Sequence, residues 1–456
     1  MYRGTLQRKI FLAAASYLFY AFGDWRYCFL LLFSSLVNYY FGIFIGKNRD
    51  HIKRKTFLVL AVIVNLSLLG FFKYWHFFAN TANGLILSFF PGATFAFTLF
   101  KFLMPLGISF YTFKALSYIF DIYLCKMAHV TSFLDVLNYL SFFPQIASGP
   151  IVHAHDFFPD MKIALESGLD SEPRSIEMNR ATLLILCGLL KKLIFANYLS
   201  TLLVDPVFSD LASHHSLDII LAAFGYSVVI YCDFSGYSDM AIGIALFFGF
   251  HTPKNFNSPY ISFSVSDFWR RWHITFSSWL RDYLYFSLGG SRFGLLRTLF
   301  ALFFTMILGG LWHGASWTFI LWGAMQGAAL AFERVFNYGL IPATKRLTRF
   351  GQIGLTFLFT TLSWVVFRSD TFDSLALFFR SLINFTGTPV MYVPLVCILL
   401  VLGLGMHAIP RSFVRKCFNF FQVLPLVLKA IAVSLFFVFL SIVGMSGVAP
   451  FIYFQF

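Results

Sequence analysis

Between Arg297 and Glu333 the chain runs for 35 residues without an Asp, Glu, Lys or Arg, and His313 is the sixteenth of them. An imidazole accepts a proton near neutral pH, and a hydroxyl must lose one to attack an acyl carbonyl. An ionisable group this deep in an apolar run lines a pathway or reaction site, the alternative being a histidine hydrogen-bonded inside a helix bundle. Gly309, Gly310, Gly314, Ala315 and Ser316 surround it and admit a close backbone or a thin substrate. Thirty-five helical residues would reach about 52 Å, too long for one upright crossing, so a break or bend is expected at Gly309-Gly310, just before the histidine.

A second segment, Ser266 to Tyr283, is too charged to span a bilayer. Trp269, Trp272, His273, Phe276, Trp279, Leu280 and Tyr283 recur at three- and four-residue spacing with basic residues between them, which predicts an interfacial helix or the rim of a cavity. Arg270, Arg271 and Arg281 suit either an anchor at the headgroups or the anionic part of a phosphate-rich thioester donor, and His273 stays open between the same readings. A third segment, Tyr231 to Gly243, carries Asp233 and Asp239 inside an apolar run, and buried carboxylates need partners. Asp233 is expected to make a structural hydrogen bond, with orientation of a histidine or pairing with an arginine of the second segment as alternatives. His153 with His155, and His214 with His215, have no third ligand in the sequence, and no metal site is expected.

The elements that must position these groups are membrane helices. Of 456 residues, 59% are hydrophobic and 12% charged, and the mean hydropathy is +0.75. A water-soluble fold of this length needs far more polar surface. The net charge of +14 comes from short basic clusters between apolar runs, which reads as positive-inside bias and leaves no nucleic-acid partner to invoke. The six cysteines are scattered without a C-x-x-C pair, so neither a disulfide framework nor a zinc site is expected. The N-terminal apolar run reads as a retained transmembrane helix, and Asp24 with Arg26 marks a tight turn to a second crossing. Further apolar runs fall near 56 to 78, 95 to 120, 131 to 152, 181 to 204, 216 to 250, 298 to 332, 352 to 367, 372 to 409 and 421 to 445. Together they predict an all-α, multi-pass membrane protein of about eleven or twelve transmembrane or re-entrant helices. Residues 156 to 180 read as a loop, and with no internal repeat the whole of 1–456 reads as one membrane domain.

The blocks FPQIASGPIV (143 to 152), DFSGYSDMAIG (233 to 243), NFNSPY (255 to 260), SDFWRRWHITFSSWLRDYLYFSLGG (266 to 290), GGLWHGASWTFILWGAMQG (309 to 327) and PFIYFQF (450 to 456) resemble the membrane-bound O-acyltransferase family. The likeness is to its bacterial branch for alginate and peptidoglycan O-acetylation and, more distantly, teichoic acid D-alanylation. It implies a ring of helices around a thinned centre, with inner and outer funnels meeting at the catalytic histidine of the W-H-G block, His313. The histidine of F-W-R-R-W-H is His273, 40 residues earlier. Arg270, Arg271, Arg281 and Trp312 become the expected donor-binding set, with Asp233 and Asp239 structural or orienting.

The resemblance also implies acetyl-CoA as donor, with no permanently bound cofactor, and a location in the bacterial inner membrane. It implies a periplasmic serine esterase-like acetyltransferase as partner and a polysaccharide as indirect acceptor. One departure is that His153 stands where the family commonly has an arginine, and a neutral imidazole does not replace a guanidinium at an anion. Two rivals use the same residues. One is a secondary transporter with His313 and Asp233 as proton relay, against which the lack of paired repeats counts. The other is a lipid or protein acyltransferase of the same fold.

Overall fold

The computed structural model describes residues 2–91, 97–98, 103–166, 177–338, 346–383, 385, 389 and 394–444, and the closing PFIYFQF block lies outside them. The described residues are helical with no strand. Among the described residues, seven helices are long and apolar enough to cross a membrane, or eight if Pro394–Ala408 and Arg411–Val423, bent by 96°, form one broken span. The chain divides into two compact units, residues 1–176 with 248–251, and residues 177–247 with 252–456.

The first unit contains α1 (Tyr2–Asp24), α2 (Tyr27–Lys47), α3 (His51–Leu69), α4 (Trp75–Phe89), α5 (Ile108–Tyr123), α6 (Phe133–Ser141), α7 (Phe143–Ile146) and α8 (Ala154–Glu166). The expected turn between the first two crossings is present, closed by the Arg26 guanidinium on the Asp24 carboxylate at 2.6 Å. α5 is its buried centre, with α2 and α3 against it. Of the soluble-looking stretch 156–180, residues 167–176 lie outside the described residues, and the described remainder is helical but for residue 177. Residues 154–166 form α8, because Ala154, Phe157, Met161 and Leu165 give one side of it an apolar stripe that is buried.

In the second unit come α9 (Met178–Leu190), a π-helical turn Lys191–Ala196, α10 (Asn197–Leu199), a second π turn Ser200–Val204, α11 (Asp205–Ser209) and α12 (Ser216–Phe247). They are followed by α13 (Val265–Trp269), α14 (Ile274–Trp279), a π turn Leu280–Tyr285, α15 (Gly294–His313), α16 (Trp317–Phe336) and α17 (Arg346–Arg368). The unit's last helices are α18 (Phe372–Ser381), α19 (Pro394–Gly405), α20 (Arg411–Val423) and α21 (Leu426–Val443). α12, 32 residues long and largely buried, is its central helix.

The 35-residue uncharged run does not break where the glycine pair predicted. α15 continues through Gly309 and Gly310 to His313, and the chain turns at 314–316. There Gly314 is extended and the Ser316 hydroxyl caps the start of α16 by accepting from Phe319 N–H. Gly310 serves packing instead, since a Cβ on it would lie 2.3 Å from the Phe319 carbonyl oxygen. Gly323 on α16 is the reciprocal contact, where a Cβ would fall 2.4 Å from the Met306 carbonyl oxygen. The two helices touch backbone to backbone, and that contact fixes the end of α15 that carries His313.

Candidate active site

His313 is buried at the C-terminus of α15, and His273, fully buried, lies on the turn between α13 and α14. Their ring centroids are 6.5 Å apart. Phe276 lies between them, 4.9 Å from the His273 ring and 5.2 Å from the His313 ring. Trp322 and Phe367 close the far side of His313 at 5.2 and 5.4 Å. A wall of this kind excludes water and strengthens any electrostatic contact made inside it.

The second segment is not one interfacial helix. It breaks into α13, a turn, α14 and a π turn, and all seven residues of its aromatic stripe are buried. The stripe is core, and the arginines are left at the rim. The turn reverses at His273, whose backbone is left-handed at φ 42° and ψ 54°, a conformation that costs about 1–2 kcal/mol for an L-residue other than glycine and that functional sites often hold.

Asn255 sets the chemistry of His273. The Thr275 N–H can only donate, and it lies 3.2 Å from Asn255 Oδ1, so that oxygen is an acceptor. His273 Nδ1, 3.1 Å from the same oxygen, therefore carries the proton, and Nε2 keeps its lone pair. Nε2 is buried with no hydrogen-bond partner among the described residues. His273 lies outside the membrane-crossing helices. Burial first, and the nearby His313 second, hold its imidazole well below the ordinary histidine value, so it stays neutral. Asn255 was present in the NFNSPY block, but nothing in its spacing from His273 announced this contact.

A cavity of about 380 Å³ is formed by the same segment, and neither histidine is among its lining residues. Arg270 and Arg281 line it with Trp269, Ser277, Ser278 and Tyr285. Trp269 connects this wall to the histidines, its ring 5.9 Å from that of Trp322. The arginine set divides: Arg271 is outside the lining and pairs with Asp267 at 2.9 Å. Trp312 is outside it too, packed on Phe276 at 4.6 Å and against both imidazoles. Arg281 also holds Asp282 at 2.7 Å. Glu333, noticed in the sequence only as the end of an uncharged run, accepts from Val265 and Ser266 N–H at 2.5 and 2.9 Å and caps α13 ahead of the arginines.

Asp233 and Asp239 pair with two adjacent lysines, Lys192 and Lys191. Lys192 Nζ is 2.5 Å from Asp233 and Lys191 Nζ 2.6 Å from Asp239. Neither aspartate orients a histidine of the site or meets an arginine of the second segment among these contacts. The lysines lie on the π turn after α9, and α9 approaches α12 closely because Gly188 faces Gly236, where a Cβ on Gly236 would lie 2.8 Å from the Gly188 carbonyl oxygen. Two adjacent lysines inside one apolar run, matched with two aspartates inside the next, were the available signal.

A sequence profile described as MBOAT, membrane-bound O-acyltransferase family, matches residues 125–365. The probable alginate O-acetylase AlgI of Azotobacter vinelandii is 40% identical over 372 residues, 80% of this chain and 70% of the relative. The peptidoglycan O-acetyltransferase of Helicobacter pylori is 34% identical over 415 residues, 86% of this chain and 76% of the relative. The teichoic acid D-alanyltransferase of Bacillus subtilis is 28% identical over 279 residues, 59% and 69% of the two chains. A matched profile over more than half of the chain, and relatives this similar, carry the conclusion: the protein belongs to the membrane-bound O-acyltransferase family and is a multi-pass membrane acyltransferase.

Proposed function

We propose that this protein is an O-acetyltransferase of the bacterial inner membrane that moves acetyl from a cytoplasmic thioester toward an extracytoplasmic polysaccharide, alginate-like or peptidoglycan. Alginate and peptidoglycan are the acceptors named for its relatives. The observation that carries the reading is the meeting of two buried imidazoles, 40 residues apart in sequence and 6.5 Å apart in space; a cavity lined by Arg270 and Arg281, whose Trp269 packs on Trp322 of the histidine wall, adds support.

In this reading acetyl-CoA supplies the acyl group, and Arg270 and Arg281 hold its phosphates by charge-assisted hydrogen bonds. His313 acts as general base. It takes the proton of an acceptor hydroxyl as the oxygen attacks the thioester carbonyl, the C–S bond breaks, and the departing thiolate takes up the proton. His273 presents its Nε2 lone pair as a second acceptor, held in that tautomer by Asn255. Trp312 packs the two rings into register. No permanently bound cofactor takes part. A periplasmic serine esterase-like acetyltransferase receives the acetyl group and completes polymer acetylation.

Removing a general base costs about 100-fold to 10,000-fold in rate. His313→Ala should therefore nearly abolish polymer acetylation at unchanged protein level, read as acetate released by mild alkali from purified polymer. Near-normal acetate would leave His313 a packed bundle histidine.

A further inference from the structure

In the first unit the start of α8 reads His153, Ala154, His155, Asp156, and the fold brings the adjacent carboxylate onto the H-x-H pair. His155 Nε2 is 3.7 Å from Asp156 Oδ1, and His153 Nδ1 is 3.9 Å from Asp156 Oδ2. The three side chains bring their ligand atoms within 4.8 Å of one another, the one such cluster among the described residues. We propose that His153, His155 and Asp156 form a binding site for a divalent transition metal of the zinc class.

The tautomer of His155 carries the argument. Its Nδ1 lies 2.8 Å from Asp121 Oδ2, and a carboxylate can only accept, so Nδ1 holds the proton and the lone pair of the neutral ring sits on Nε2. Nε2 then faces Asp156, and two acceptors opposite one another repel unless a cation lies between them. An imidazole whose far nitrogen donates to a buried carboxylate is the usual support of a metal-ligating histidine, fixing its ring and raising its basicity.

The site is built from a pinned backbone. Ala154 N–H donates to Ser117 Oγ at 3.3 Å and His155 N–H to Asp121 Oδ2 at 3.1 Å, both acceptors on α5, while Tyr139 O–H donates to the Val152 carbonyl at 2.9 Å. Asp121 is fully buried, with the Lys126 ammonium 3.7 Å from its other oxygen, and the two imidazoles stack at 5.3 Å and 23°. Asp156 is the exposed ligand of the three, with its side chain 62% exposed. Tetrahedral ligands at zinc distances stand about 3.4 Å from one another, so ligand atoms now within 4.8 Å would draw in by at most about 1.4 Å around a bound ion. Two nitrogens, one oxygen and an open side suit zinc-class ions over magnesium or calcium, which take oxygen ligands. The bound ion would staple the start of α8, which Asp121 of α5 already holds through His155.

The test uses the full chain purified in detergent without a histidine tag and stripped of metal. Titration with Co²⁺ should give one equivalent per chain with visible d–d absorption, displaced by Zn²⁺, and a rise in Tm. His155→Ala should abolish that site, and Asp121→Asn should weaken it about 10- to 100-fold. Asp156→Asn, a change at an exposed side chain, should weaken Co²⁺ binding while the metal-free Tm stays at the wild-type value, which separates ligation from folding. Equal Co²⁺ binding by wild type, His155→Ala and Asp156→Asn would overturn the proposal. So would no stoichiometric binding to wild type, which would make the cluster an imidazolium held between two carboxylates.

Discussion

The Asp233–Lys192 pair separates a structural part of this enzyme from its chemistry. The two groups are 2.5 Å apart with side chains 4% and 13% exposed. At an effective dielectric of about 20 their attraction is roughly 7 kcal/mol before desolvation is subtracted. Removing one partner takes the opposite charge 2.5 Å away from a buried group, which typically costs about 3–5 kcal/mol. Lys192→Met and Asp233→Leu should each lose that much. The double variant should recover most of it, because replacing a buried pair by apolar groups of similar size is often close to neutral. The measurement is a double-mutant cycle on denaturant unfolding in mixed micelles, with polymer acetylation followed in the same strains. Recovery of stability and acetylation together would assign the pair to holding α9 against α12. A double variant no more stable than the worse single would refute the energetic reasoning. A stable double variant without activity would make Asp233 part of the reaction.

Three further outcomes follow from the second unit. Arg270→Ala should raise the KM for the acyl donor about 10-fold, the value of one charge-assisted hydrogen bond, while Arg271→Ala, outside the cavity lining and tied to Asp267, should leave it near wild type; equal effects in a donor titration would return both to the headgroup anchor. Gly323→Ala forces a Cβ to within 2.4 Å of the Met306 carbonyl oxygen, so it should cost about 1–3 kcal/mol and lower acetylation by displacing His313, whereas Gly351→Ala, with nothing within 4 Å, should do neither when Tm and acetylation are compared. His273 has a folded pKa below its unfolded one, so the unfolded chain gains a proton first as pH falls; stability should drop below pH about 6.5 by up to about 1.4 kcal/mol per unit, and His273→Asn, which suits the left-handed backbone, should flatten that slope in Tm against pH.

Patterns that repeat along the chain were legible before any coordinates. Long apolar runs and clustered basic residues determined a multi-pass helical protein, and the Asp24-Arg26 pair determined its first turn, because a bilayer admits few ways to satisfy a backbone. The depth of His313 and the company of His273 with tryptophans and arginines also marked the candidate site, since an ionisable side chain in an apolar run needs a reason to be there. What the sequence left open was every question decided by which side chain faces which. Gly309-Gly310 read as a breaker and serves as a contact, because a glycine's effect depends on whether a neighbouring backbone arrives. The stripe from Trp269 to Tyr283 has the spacing of an interfacial anchor, yet its rings turn inward because they can pack on Trp322 and Trp364 of helices far along the chain. Asn255 on His273, Lys192 on Asp233 and Asp121 on His155 are pairings across 18, 41 and 34 residues. No periodicity encodes such partners. Tertiary packing alone brought them within hydrogen-bond reach, and with them it decided which nitrogen of each histidine is left to act.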